Sequence, residues 1–356
     1  MTRAAPFTRP SGGWRPAVAS AVENLSPGAF AFVMATGIVS TAFARPGMRT
    51  ASVVLALIAV VGYVVLWALY LWRLVRWRQR FLADLAGSRG FAFLTFVAAS
   101  DVLATRLTLG RRYGAAEVLL ALGVAGWLVL GYGVPLLLIC ARRALPLRQV
   151  NGTWFLWVVG TESIAVAAAS LAPHTGGRML GALASVCWAI GLVQYLLTAV
   201  LALAGLLLEP VAPAELVPPY WVFMGAAAIT VLAGARLLQL PTDDALLPRT
   251  FVLGVSAVQW SFCTWLIPLL LALGVWRHVL RGVPLRYDAS LWSLVFPVGM
   301  YGVATMELGH VGRWGWMAGI GSAEAWAALA VWAATFIGML AAAATALRRT
   351  GDPGSP

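Results

Sequence analysis

Apolar residues occur along this chain in long runs, without the short polar and apolar alternation of a soluble domain. A helix rises about 1.5 Å per residue and a bilayer's hydrocarbon core is about 30 Å thick, so a span needs roughly 20 apolar residues. The pattern therefore predicts an all-α integral membrane protein with ten transmembrane helices. The predicted spans are 27 to 43, 51 to 72, 91 to 109, 115 to 140, 152 to 171, 179 to 208, 219 to 239, 250 to 276, 290 to 309 and 321 to 347.

The spans are of two kinds, which alternate along the chain. Even-numbered spans are long and rich in Leu, Val and Ala, whereas odd-numbered spans hold most of the intramembrane polar residues. Odd spans recur roughly every 60 to 70 residues, a period that predicts a structural repeat. We expect five helical hairpins around a central axis, each with a polar inner helix and an apolar outer one. The polar residues that we expect to line a path along this axis are Thr36, Ser40, Asp101, Thr105, Glu162 and Thr230.

The ninth span carries a proline in its middle. Pro297 cannot donate a hydrogen bond to the carbonyl of Ser293, so the helix is expected to bend or open there. At 100° per residue, Phe296, Met300 and Glu307 fall on one face, within about 60° of one another. This face predicts a pathway obstructed by an aromatic ring.

Composition excludes an ordinary soluble domain and favours one orientation in the membrane. Hydrophobic residues make up 61% of the chain and charged residues 11%, with a mean hydropathy of +0.85. The net charge of +12 comes from arginines between the apolar runs, a distribution that favours retention in the cytoplasm over nucleic-acid binding. With spans alternating across the membrane, 16 of the 25 arginines lie on the side of the N-terminus, which predicts cytoplasmic termini in the cell membrane.

The same assignment divides the chain into three parts. We expect a cytoplasmic N-terminal tail at 1 to 26, a ten-helix transport domain at 27 to 347 and a cytoplasmic C-terminal tail at 348 to 356. The three cysteines lack metal-ligand spacing, and the three histidines lie at predicted loops or helix ends. The sequence therefore predicts no metal, no cofactor and no enzyme active site. A receptor or assembly subunit without transport is a further alternative.

The odd spans resemble the tellurite-resistance/C4-dicarboxylate transporter family, the TehA-like proteins that include malate permeases, sulfite pumps and the plant slow anion channel. The matching segments are LSPGAFAFVMATGIVSTA, GFAFLTFVAASDVLATRL, NGTWFLWVVGTESIAV, PPYWVFMGAAAITVLAGARL and WSLVFPVGMYGVATMELG. The resemblance implies a quasi-fivefold ten-helix bundle, a homotrimer, and passage of small inorganic or dicarboxylate anions. It also implies that a phenylalanine of the ninth helix plugs the pore, and the matching residue is Phe296.

The acids of the odd spans leave two functions open. A charge near the bilayer centre costs about 2.5 to 3.5 kcal/mol, so Asp101 and Glu162 are expected to face protein or water. They are protonated, paired with Arg106 or Arg236, or carry a coupled proton. Hence the leading hypothesis is a Phe296-gated channel for C4-dicarboxylates such as malate, or for tellurite- or sulfite-related oxyanions. The alternative is a proton-coupled dicarboxylate symporter that uses one of the two acids.

Overall fold

Twelve α-helices account for most of the computed structural model, which describes residues 14–44, 47–141 and 146–351. Two of them are short: α1 (Trp14–Glu23), within the predicted N-terminal tail, and α4 (Arg78–Leu85). The other ten are α2 (Ala31–Ala42), α3 (Arg49–Arg76), α5 (Thr95–Leu109), α6 (Tyr113–Ile139), α7 (Phe155–Leu171), α8 (Gly177–Leu208), α9 (Val222–Leu237), α10 (Arg249–Val275), α11 (Trp292–Gly312) and α12 (Trp316–Gly351).

These ten helices correspond to the ten predicted spans. Within the described ranges, nine helices are long and apolar enough to cross a membrane, and α2 is a shorter apolar helix. Four helices are extended by a 3-10 turn in front of them: α5 by Gly90–Leu94, α7 by Gly152–Trp154, α9 by Pro218–Trp221 and α11 by Ala289–Leu291. No strand occurs in the described part of the chain, and the prediction of an all-α membrane protein is confirmed.

The helices form two layers. The inner layer consists of α2, α5, α7, α9 and α11, and the outer layer of α3, α6, α8, α10 and α12. The most apolar stretches of α5, α7 and α9, with their preceding turns, are 83 to 89% buried, and that of α11 is 67% buried. The corresponding stretches of the outer helices are only 17 to 39% buried. The outer helices therefore present leucine and valine to the lipid, and the inner helices are enclosed by protein.

The inner helices form a closed ring of contacts. Each inner helix packs against the next one along the chain, and α11 packs against α2 to complete the cycle. Each inner helix also packs against the outer helix that follows it, which gives five hairpins. The quasi-fivefold symmetry of this arrangement stays a prediction, while the contacts define a central axis enclosed by five helices.

One hydrogen bond joins each outer helix to the inner helix of the next hairpin. We call these five bonds the aromatic girdle. In each bond an indole or phenol group of the outer helix meets a hydroxyl or backbone oxygen of the inner helix. The pairs are Tyr63 with Ser100 at 2.8 Å, Trp127 with Thr161 at 2.8 Å, Trp188 with the Thr230 carbonyl at 3.0 Å, Trp260 with Thr305 at 2.9 Å and Trp332 with Thr36 at 3.0 Å. The last pair connects the C-terminal hairpin to the first one and so closes the cycle.

Glycine allows a close approach between α9 and α11. A Cβ atom added at Gly225 would lie 2.7 Å from Cγ and 3.2 Å from Cα of Pro297. Backbones approach this closely in membranes where small residues line the helix interface. The contact places the proline of α11 directly against α9.

We predict that Gly225→Ala destabilises the protein, because the new methyl group has to displace the ring or backbone of Pro297. Overpacking of this kind costs about 1 to 3 kcal/mol. Thermal unfolding of the purified protein in detergent measures the effect. The matched control is Gly254→Ala on the exposed side of α10, where an added Cβ meets nothing within 4 Å. Equal melting temperatures for the two variants would contradict the packing described here.

The aromatic girdle makes a second prediction. Trp332→Phe removes the donor and Thr36→Val removes the acceptor of the bond that closes the ring. A double-mutant cycle is expected to give a coupling energy of about 0.6 kcal/mol, as is common for hydrogen bonds between membrane helices. The lipid-facing Trp265→Phe, paired with Thr36→Val, serves as the control and is expected to show no coupling.

Candidate functional site

A cavity of about 510 Å³ opens at the N-terminal end of the ring, and we call it the vestibule. Each inner helix contributes to it through the residues with which it begins or the turn before it. Those residues are Gly28 before α2, Ala92 before α5, Leu156 of α7, Pro219 before α9 and Ser293 of α11. Because all five helices contribute, the vestibule lies on the central axis.

Paired charges surround the mouth of the vestibule. The buried Arg73 of α3 donates from Nε to the backbone oxygen of Glu23 at 3.0 Å, and its Nη2 pairs with the Asp84 carboxylate of α4. Arg80 pairs with the Glu23 carboxylate at 2.6 Å, and Arg89 lies 3.8 Å from Asp84. The short helices α1 and α4 therefore form a collar that fixes the arginines around this opening.

A second, much narrower space lies further along the ring, and we call it the axial cavity. The centre of a water-sized sphere can occupy a volume of about 10 Å³ in this cavity. That volume is close to the smallest space that holds one water molecule. Again all five inner helices contribute. The lining residues are Ile38, Thr41, Asp101, Val102, Thr105, Ser163, Val166, Ile229, Leu232, Arg236 and Met300.

Phe296 lies at the level between these two spaces. On α11, Ser293 lines the vestibule and Met300 lines the axial cavity. Phe296 follows Ser293 by three residues and precedes Met300 by four, so all three share one helix face. Its side chain is fully buried. Ser293, Phe296 and Met300 thus follow one another along the face of α11 that runs from the vestibule to the axial cavity.

The helix is not interrupted at the predicted kink. Helix α11 continues through Pro297 from Trp292 to Gly312, so the proline removes one backbone hydrogen bond without ending the helix. The ring of Pro297 packs on Gly225 of α9. The proline therefore sits at a contact between two inner helices, directly beside Phe296.

Three of the predicted path residues, Asp101, Thr105 and Met300, line the axial cavity. The polar groups of two others are engaged by outer helices. Thr36 accepts the girdle bond from Trp332 of α12, and Ser40 donates to the backbone oxygen of Ser52 of α3 at 2.6 Å. Their roles in permeation stay predictions, but their hydrogen bonds serve contacts between helices.

Glu162 and Thr230 also engage neighbouring helices. The Glu162 carboxyl group packs against α8, where a Cβ atom added at Gly191 would lie 2.6 Å from its carbon Cδ. Neither carboxyl oxygen has a hydrogen-bond partner among the described residues. Thr230 donates from its hydroxyl to the backbone oxygen of Ala226 and accepts at its own backbone oxygen from Trp188. Glu162 is thus a fully buried acid held inside its own hairpin.

Asp101 is the acid of the axial cavity. Its Oδ2 accepts a hydrogen bond from Ser163 Oγ at 2.8 Å, while Oδ1 has no partner among the described residues. Both arginines considered as its counter-ions are engaged elsewhere: Arg106 bonds to serines of α2 and α3, and Arg236 pairs with Glu307 at 3.0 Å. Pairing with either arginine therefore does not account for the buried Asp101. Glu307 is thus the ion-pair partner of Arg236.

Two hydroxyl-bearing residues that line the axial cavity, Ser163 and Thr41, were not among the residues predicted to form the path, although helix geometry points to them. Ser163 lies next to Glu162 and Thr41 next to Ser40, and adjacent residues differ by 100° around a helix. The polar residue that faces the axis is therefore the neighbour of the one singled out. The repeat of girdle aromatics at about the same 60- to 70-residue spacing is the signal that would have oriented the inner helices.

Comparison with known proteins identifies the family. The sequence profile of the voltage-dependent anion channel family (SLAC1) matches residues 24–340. The chain belongs to this family. An uncharacterized membrane protein of Mycobacterium tuberculosis is 49% identical over 158 residues, which cover 44% of this chain and 80% of that protein.

Two archaeal relatives extend over more of the chain. One uncharacterized transporter of Methanocaldococcus jannaschii is 22% identical over 326 residues, covering 89% of this chain and 92% of its own length. Another from the same organism is 22% identical over 300 residues, covering 80% and 85% respectively. The protein is accordingly a multi-pass membrane protein of an anion channel and transporter family, which points away from an enzyme.

Proposed function

We propose that this protein is a gated channel for small anions, with the path along the axis of the five inner helices and Phe296 as the gate. The observation that carries the proposal is the position of Phe296, on the helix face between the vestibule and the axial cavity. C4-dicarboxylates such as malate are the first candidates for the anion, and tellurite- or sulfite-related oxyanions the next. The path requires no cofactor.

The size of the axial cavity supports a closed state. A space for about one water molecule does not admit a hydrated anion or a dicarboxylate. A ring across a narrow, apolar passage blocks ions both sterically and by excluding water. Opening therefore requires that the Phe296 ring turn away, together with a shift of α11 against α9.

The pair Pro297 and Gly225 is the element that we propose permits this shift. Pro297 leaves the Ser293 carbonyl without its usual helical partner, so bending at this point breaks no backbone hydrogen bond there. Gly225 offers a smooth surface on which the proline ring moves. The proposed gate thus lies beside a close contact between two inner helices.

We further propose that the protein lies in the cytoplasmic membrane with both termini in the cytoplasm. The excess of arginine on the N-terminal side supports this orientation, which puts the vestibule on the cytoplasmic side. The homotrimer implied by the family resemblance remains part of this proposal. The apolar faces of the outer helices are compatible with contacts to lipid and to neighbouring copies.

Removal of the gate tests the proposal. We expect Phe296→Ala in liposomes to raise chloride and malate flux at least about tenfold, equal to lowering the barrier by about 1.4 kcal/mol. The control is Phe251→Ala on the lipid-exposed side of α10, which is expected to leave flux unchanged. A Phe296→Ala protein that folds but conducts no more than wild type would refute the gate.

Proton-coupled dicarboxylate symport is the second candidate. It is favoured by Asp101, which lines the axial cavity with one carboxyl oxygen unpartnered among the described residues, and by the second buried acid, Glu162. A carboxyl group in a path takes up and releases a proton when it alternates between dry and wet surroundings.

The two candidates differ in their response to a pH gradient. For a symporter, malate uptake follows an inward proton gradient and is lost in Asp101→Asn or Glu162→Gln. For the channel that we propose, we expect flux without dependence on the gradient and unchanged or higher in Asp101→Asn. The exposed Glu117→Gln on α6 serves as the control for charge removal. Gradient-driven uptake that Asp101→Asn abolishes would replace the channel by the symporter.

A further inference from the structure

Two arginines lie near the C-terminal ends of inner helices, Arg106 on α5 and Arg236 on α9, and they occupy different environments. Arg106 donates from Nε to Ser40 Oγ at 2.9 Å and from Nη2 to Ser52 Oγ at 3.0 Å. These bonds tie α5 to the first hairpin. Arg236 lines the axial cavity, whereas Arg106 is outside the set of residues that line it.

A triangle of hydrogen bonds fixes the Arg236 guanidinium group. Its Nη2 donates to Glu307 Oε1 at 3.0 Å and its Nη1 to Gln239 Oε1 at 3.0 Å. Gln239 Nε2 donates to the other Glu307 oxygen at 2.8 Å, which closes the triangle. Two side chains thus hold the guanidinium group between the ends of α9 and α11.

One nitrogen of this group makes no hydrogen bond to the described residues. Arg236 Nε is buried and has no hydrogen-bond partner among the described residues. The Arg236 side chain is only 12% exposed and that of Glu307 27%, so water screens their charges weakly. Among the described residues that line the axial cavity, Arg236 is the only cation, and hydroxyl groups of Thr41, Thr105 and Ser163 line the same space.

We propose that Arg236 is the residue that selects anions at the C-terminal end of the path, with Glu307 and Gln239 as its positioning residues. The ligand is a small anion, a halide or an oxyanion, that sheds part of its water to accept hydrogen bonds from the guanidinium and the hydroxyl groups. This inference rests on the proposed path along the ring axis. In it, Arg236 supplies the positive charge that distinguishes anions from cations at the C-terminal end of that path.

The role of Glu307 makes the proposal specific. Its carboxylate competes with a passing anion for the same guanidinium group. Glu307→Gln retains the length of the side chain and an acceptor oxygen for Arg236 but removes the negative charge. Loss of Arg236 and loss of the Glu307 charge are therefore expected to change anion selectivity in opposite directions. A purely structural ion pair would instead lose stability in both variants without a change in selectivity.

Reversal potentials of the full-length Phe296→Ala protein in bilayers, under a sodium chloride gradient, measure this selectivity. We expect Arg236→Gln to lower the chloride-to-sodium permeability ratio about tenfold, the equivalent of one charge-assisted hydrogen bond. Glu307→Gln is expected to raise the ratio. Arg236→Lys keeps the positive charge and should retain most of the selectivity. This variant tests the proposal if the Gln variant does not fold. Arg106→Gln and the exposed Arg249→Gln at the same end are the controls and should leave the ratio unchanged.

A binding measurement separates this inference from the channel itself. If the Phe296→Ala background conducts no ion, the proposed channel fails, and the site is tested by thermal unfolding with chloride replaced by gluconate at constant ionic strength. Chloride is expected to stabilise wild type and Arg249→Gln but not Arg236→Gln. Equal ratios for Arg236→Gln and Arg249→Gln, or shifts of the same sign for Arg236→Gln and Glu307→Gln, would overturn the proposal. So would equal stabilisation of both arginine variants by chloride.

Discussion

The aromatic girdle is the interaction on which the arrangement of the inner helices depends. In the bilayer core no water satisfies a polar group, so an indole or phenol on an outer helix requires an acceptor inside the protein. Each outer helix finds this acceptor on the inner helix of the next hairpin, and the bond from Trp332 to Thr36 joins the end of the chain to its beginning. These bonds fix how each inner helix is rotated. The helix face that carries Thr36 or Thr161 is directed toward the outer helices. The opposite face of the same helix is therefore the one directed toward the axis.

The proposed path has few charges, and most of them are balanced. The arginines of the vestibule are paired with Glu23 and Asp84 through the collar of α1 and α4. In the axial cavity the charges are arranged differently. Asp101 accepts a hydrogen bond from Ser163, and Arg236 pairs with Glu307, which is outside the set of residues that line this cavity. We propose that the apolar ring of Phe296 separates these two regions. In this proposal, selection by charge and closure by the ring take place at different points along one path.

Much of the fold was predictable from the sequence, whereas the facing of individual side chains was not. Span lengths and the alternation of polar and apolar runs predicted ten helices in two layers, because bilayer thickness dictates the length of each span. The rotation of each helix depends on contacts between hairpins, which periodicity within one helix does not reveal. Thr36, Ser40 and Thr230 are polar and near mid-membrane, yet Thr36 and Ser40 bond to outer helices and the Thr230 hydroxyl bonds to Ala226 of its own helix. Arg106 and Arg236 look equivalent in the sequence. Only the structure shows that Arg106 bonds to serines of two neighbouring helices, whereas Arg236 lines the axial cavity.

The central claim is that Phe296 separates two spaces on one axis, and cysteine accessibility tests it most directly. In a protein whose three native cysteines are replaced, Ser293→Cys marks the vestibule and Met300→Cys the axial cavity. A small uncharged thiol reagent is applied from the vestibule side and the modified thiol is quantified. The account predicts modification of Cys at position 293 alone while Phe296 is present, and of both positions once Phe296 is changed to Ala. Equal modification of both positions with Phe296 intact would contradict it.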